Sequence, residues 1–205
     1  MKIKTSILFF FALFLNLKIQ AQKHEFNFDG QLSNIVSYSP QNDLDVFVGA
    51  RYIPEFNYNL RLDSIKRTNL YFEASANIYG NVLFHPFDTA ELDGKIAPYR
   101  IWTRFNTEKY EIRVGLQKID FGSSTLLRPL QWFNQIDPRD PLGLTNGVYG
   151  GLFKYYFKNN ANIWFWTLLW NEDQRGLDAI GSYKKHPEIG GRVQYPTKKG
   201  EFAVS

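Results

Sequence analysis

The chain has 205 residues, 44% of them hydrophobic and 17% aromatic, with one Met, no Cys and a formal net charge of +4. So much apolar material excludes a disordered polymer, and the missing Cys excludes disulfide frameworks, thiolate metal centres and cysteine nucleophiles. The length allows one domain or two small ones, and only the extreme N-terminus carries an apolar run approaching the roughly 20 residues of a membrane-spanning helix.

That run reads as an export signal. Lys2 and Lys4 form a charged start, residues 7–15 (ILFFFALFL) an apolar middle, and Ala21 a small residue where a signal peptidase would cut. Asn16 and Lys18 interrupt it well before a helical span is complete. Residues 1–21 are therefore expected to be removed, leaving 22–205 as the mature protein. The segment carries three of the 24 basic residues and no acid, so 21 bases face 20 acids afterwards. The case for a basic nucleic-acid binder goes with it.

From Phe26 onward the chain alternates with period two, the pattern of strands with one apolar face. Phe26, Phe28, Leu32, Val36 and Tyr38 share one parity in the first run. In the second, even positions from Leu44 to Leu62 are apolar and odd ones carry Asp45, Arg51, Glu55 and Arg61; Pro54 predicts a bulge or a break. A third run sets Leu70, Phe72, Ile78 and Val82 against Asn69, Glu73 and Asn77. The fourth places Tyr99, Ile101 and Phe105 opposite Arg100, Trp102 and Arg104, and the fifth Tyr110, Ile112, Val114 and Leu116 opposite Glu111, Arg113 and Gln117. Residues 148–157 are aromatic on odd positions, 163–170 carry Trp164, Trp166 and Trp170 on even ones, 189–195 alternate again, and 201–205 begin a ninth run. No stretch after residue 22 shows a helical period.

The connections alternate too. Segments 63–68, 106–109, 158–161 and 196–200 are short and polar, whereas 85–98, 119–147 and 171–187 are long; the first pair of runs alone departs from the scheme. Strands of about ten residues joined by short turns at one end and long loops at the other predict an antiparallel up-and-down transmembrane β-barrel, short turns toward the periplasm. An exported β-sandwich also alternates, but its outward parity should be richly charged. Here Tyr, Phe and Trp crowd the apolar parity, as in the aromatic girdles of lipid-facing strands. The polar parity is too charged for a dry core and suits a water-filled lumen. Its candidate lining residues are Arg51, Arg61, Arg100, Trp102, Arg104, Glu111, Arg113 and Arg192. Arg100, Arg104 and Arg113 lie on neighbouring strands, where they either concentrate anionic solutes or brace the wall by pairing with Glu73 and Glu111.

One segment carries a resemblance. Residues 113–123 (RVGLQKIDFGS) and 134–141 (NQIDPRDP) resemble the R-x-G-x-Q-x-(I/V)-x-(W/F)-G … N-x-x-D-P-x-D pattern of outer-membrane porins of the alginate-export-like type from Gram-negative, Bacteroidetes-like bacteria, over roughly 35 residues. The resemblance implies a porin-like barrel passing small or oligomeric solutes, with the long loop 119–147 folded inward to narrow the pore. Arg128, Trp132, Asp137, Arg139 and Asp140 then become constriction candidates. Independently of it, Leu126, Leu127, Leu130, Trp132 and Phe133 make this loop too apolar to be a free excursion.

Other chemistry finds no foothold. His24, His85 and His186 have no neighbour at metal-ligand spacing, and the loop acids Asp137, Asp140, Glu172, Asp173 and Asp178 lack a calcium-loop pattern. No phosphate-binding loop precedes a helix. No enzyme, metal or cofactor is expected, and the expected partners are membrane lipid, lipopolysaccharide and a small-molecule solute. Eight runs plus a started ninth leave an odd, unclosed barrel with unpaired edges, so the chain is expected to be the N-terminal part of a longer outer-membrane barrel. The alternative is a non-conducting envelope β-barrel or β-sandwich that binds a partner or polysaccharide.

Overall fold

A computed structural model describes residues 23–40, 45–86, 89–121, 133, 142–145, 147–171, 186–198 and 200–205. The expected leader at 1–21 and the constriction candidates Arg128, Trp132, Asp137, Arg139 and Asp140 lie outside the described residues. Nine strands form one antiparallel sheet in sequence order: β1 (Lys23–Tyr38), β2 (Val46–Asp63), β3 (Thr68–Phe84), β4 (Ala90–Asn106), β5 (Tyr110–Gln117), β6 (Val148–Tyr156), β7 (Asn162–Leu168), β8 (Glu188–Thr197) and β9 (Gly200–Val204). The all-β, up-and-down expectation is met; the sheet itself is open, with β1 and β9 as its two edges.

Side chains close the turns at one end. Asp63 accepts hydrogen bonds from the Ile65 and Lys66 amides after β2, and Thr107 from those of Lys109 and Tyr110 after β4. After β6, Asn159 accepts from the Ala161 amide while Asn160 takes a left-handed φ of 63°. Asp, Thr and Asn satisfy orphaned amides in this way without a partner strand.

The sheet has two unlike faces. One row across β2 to β7 runs Leu60, Leu70, Phe105, Ile112, Phe153 and Phe165. This face is open: Phe165 is 52% and Ile189 68% exposed. The neighbouring row on the other face runs Tyr71, Arg104, Arg113, Leu152 and Trp166, where Leu152 is 2% exposed. Residues of β1, β2, β3, β4 and the segment before β6 line one cavity of about 890 Å³, so the sheet curls into a trough with its charged face concave.

Four local features differ from the period-two expectation. β4 begins at Ala90, so most of the expected long loop 85–98 is strand; Gly94 and Pro98 masked an alternation of Leu92 and Ile96 with Asp93 and Lys95. The register between β3 and β4 shifts at Ser75/Ala76, where a bulge moves Tyr99 to the concave side with Arg100. Pro54 causes neither bulge nor break: β2 is continuous and keeps one register with β3 on both sides of it. Leu116, expected outside, is buried and lines the cavity beside Arg100. The cause is Gly115, at a φ of 125°, where a Cβ would stand 2.2 Å from the Ile101 carbonyl oxygen.

The tryptophans of β7 also face unexpectedly. Trp166 packs on the concave side in a core with Ile119, Phe121, Val148, Leu152 and Leu168, and Trp164 and Phe133 pack against it. Phe121 stands 5.0 Å from Trp166 and 5.6 Å from Trp164 between ring centroids. The start of the 119–147 segment thus folds inward and gives the indoles an apolar neighbour, while Gly190 leaves room for Trp166: a Cβ there would meet the indole at 2.5 Å. We expect Gly115→Ala to lower stability by about 2 kcal/mol or more, because both the left-handed φ and the carbonyl clash oppose it. Denaturant unfolding in detergent micelles checks this, and an unchanged midpoint contradicts the geometry.

Candidate functional site

The concave face of β3 to β6 collects the charge that strand alternation puts inward. Arg104 and Arg113 are directly opposed in the β4–β5 register, and Trp102 opposes Glu73 in the β3–β4 register. Like charges placed directly across a ladder repel, so both guanidiniums need other company. Arg113 donates to Glu111 at 2.9 Å and stacks over the Trp102 ring at 4.6 Å. Arg104 lies over Tyr71 at 5.0 Å and Trp102 at 5.7 Å. Trp102 in turn stands opposite Glu73 in the ladder and packs 5.1 Å from the Tyr71 ring, and the Tyr71 hydroxyl donates to Asn57. Each cation–π contact contributes about 0.5–2 kcal/mol at this degree of burial.

Lys154, which sequence reading passed over, belongs to the same cluster. Its ammonium sits 3.9 Å over the Trp164 ring and 3.8 Å from Glu111, whose single carboxylate therefore serves Arg113 and Lys154 together. The signal was available, since Lys154 falls on the parity opposite Phe153 and Tyr155. The outward-facing aromatic residues of that strand drew attention from it.

The remaining lining candidates separate by environment. Arg100 is 6% exposed and held at both terminal nitrogens: it donates to the Tyr99 carbonyl at 2.6 Å, to the Thr145 carbonyl at 2.7 Å and to the Thr145 hydroxyl at 3.0 Å, and stacks 4.1 Å over the Tyr99 ring. It fastens the segment before β6 to the wall. Arg51 lines the cavity, 5.7 Å over Tyr79. Arg61 lies toward the short-turn end, 3.9 Å from Glu25 and half-exposed. Arg192 is buried under the inward-folded segment, 5.5 Å over Phe121, donating to the Ser205 hydroxyl. Arg104, Arg113, Trp102 and Glu111 thus come together, while Arg51, Arg61, Arg100 and Arg192 stand apart.

The cavity lies on the long-connection side of this cluster. Ser33, Ser37, Asn77, Asn81, Tyr79 and Lys95 give it hydroxyls, amides and one ammonium suited to a hydrated solute. Among the described residues no group of three or more His, Asp or Glu side chains is placed to hold a metal ion. No protein-family model, curated protein or solved structure matches this chain. The site therefore stands on its own geometry.

Arg100→Ala strips the Thr145 and Tyr99 carbonyls of their buried donor, which costs about 1–3 kcal/mol. We expect it to speed proteolytic cleavage within residues 118–147 while leaving the strands intact. Cleavage at the wild-type rate would show that something else holds this segment.

Proposed function

We propose that the chain forms the wall of a porin-like channel in the outer membrane, for passive or facilitated diffusion of small hydrophilic solutes, anionic or carbohydrate, with segment 119–147 narrowing the pore. The observation that carries this reading is the inversion of polarity: Phe, Ile and Val cover the convex face while Arg, Glu and Lys line the trough. In water such a convex surface costs about 25 cal/mol per Å² of exposed apolar area; against acyl chains the cost vanishes. Its surroundings would then be membrane lipid and lipopolysaccharide.

Strand length also supports a span. Strands β1 to β4 run 16–18 residues, about 55 Å at roughly 3.3 Å per residue, where a tilted crossing needs about 9–11 residues. The inward start of segment 119–147 agrees with a constriction, and the resemblance of 113–123 and 134–141 to alginate-export-like porins points the same way. The same inward core favours a second reading, because a side of the trough filled by Phe121, Phe133 and Trp166 also suits a non-conducting envelope β-barrel or β-sandwich that binds a partner or polysaccharide.

Reconstitution into planar bilayers separates the two: the channel reading expects stepwise ohmic conductance, and a silent bilayer overturns it. Phe165→Arg tests the membrane reading itself. On a lipid-facing midplane position it should cost about 2–4 kcal/mol of folding stability in lipid vesicles, whereas a water-facing surface substitution stays within about 0.5 kcal/mol.

A further inference from the structure

We propose that Arg104 and Arg113 form a saturable oxyanion-binding site toward the short-turn end of the trough, which takes a carboxylate or phosphate group of a passing solute. The inference rests on the reading of the concave face as a water-filled passage and goes further, assigning a discrete binding step to two residues.

Three observations carry it. First, the two guanidiniums are register partners on the same face, so the strand ladder itself holds like charges together. Second, the pairing is incomplete. Glu111 serves both Arg113 and Lys154, and among the described residues no carboxylate lies within ion-pair distance of Arg104. The Nε atoms of both arginines are buried donors without a hydrogen-bond partner. Glu111, Glu73 and Glu55 share this face with the three cations, so what stays open is the set of guanidinium donors rather than a surplus of charge. Third, the cations are already positioned. Trp102 lies beneath both guanidinium planes and Tyr71 beneath that of Arg104, so little side-chain freedom remains to be lost on binding.

An oxyanion between them would take donors from two planar forks, the geometry in which arginine binds carboxylate and phosphate most strongly. Repulsion between the guanidiniums would turn into shared attraction. Arg100 takes no part, since its two terminal nitrogens are bound to Tyr99 and Thr145.

Isothermal titration of the full chain in detergent micelles, with inorganic phosphate in one arm and glucuronate in the other, tests the site whether or not the protein conducts. Saturable one-site binding is expected in at least one arm, and the tighter arm names the group. Arg104→Gln should raise the dissociation constant at least about tenfold. Arg104→Lys, which keeps the charge but loses the planar fork, should fall between the two. Lys198→Gln, in the exposed turn after β8, should stay within about twofold of the wild type. In bilayers the same anion at constant ionic strength should reduce chloride current saturably, and less so in Arg104→Gln. Flat titrations in both arms, or isotherms unchanged in both Arg104 variants, overturn the site; a silent bilayer with intact titrations overturns the channel and leaves the site standing.

Discussion

Strand register sets like-charged side chains of the concave face directly opposite one another, so their arrangement depends on what lies between them. Trp102 is the piece on which this arrangement turns. It gives two guanidiniums an electron-rich surface, stands opposite Glu73 in the ladder, and packs against Tyr71. Without such a ring between β3 and β5, the opposed Arg104 and Arg113 would repel across a fixed register with one carboxylate between them. The same device recurs where Lys154 lies over Trp164 and Arg192 over Phe121. Aromatic residues here serve two surfaces: on the convex side they meet the surroundings, and on the concave side they carry cations.

The two ends of the sheet are held by different means. At the short-turn end, Asp63, Thr107 and Asn159 close their own turns through local hydrogen bonds, so those turns need nothing from the rest of the fold. At the other end, long connections are fastened from a distance. Arg100 reaches Thr145 across 45 residues of sequence, and Asn171 binds the Tyr149 amide and carbonyl from the far side of β7. The cavity thus sits beside segments held by a few replaceable contacts, while the strand ladder does not depend on them.

Much of this was legible in the residues themselves. The strand sequence, the short turns and the inward parity of Arg104, Glu111 and Arg113 follow from period two alone, since an uninterrupted strand cannot place neighbours on one face. Where reading failed, the backbone had departed from an ideal strand. The bulge at Tyr99, the left-handed Gly115 and the uneventful Pro54 each depend on what the partner strand offers, which alternation does not encode. Lys154 was missed because a lone lysine among aromatic residues gives no motif, although its parity was readable.

The sequence by itself determined that this is an antiparallel all-β protein and which residues travel together on a face, because side-chain direction in a strand is set by covalent geometry. Only the tertiary structure decided which face encloses what. Trp164 and Trp166 look like surface aromatic residues until Phe121 and Phe133 fold over them, and Arg100 lines the cavity while Thr145 holds its guanidinium from the distant segment before β6. Burial and partnership depend on residues distant in the chain, and they appear only when the sheet curls and its long connection turns inward.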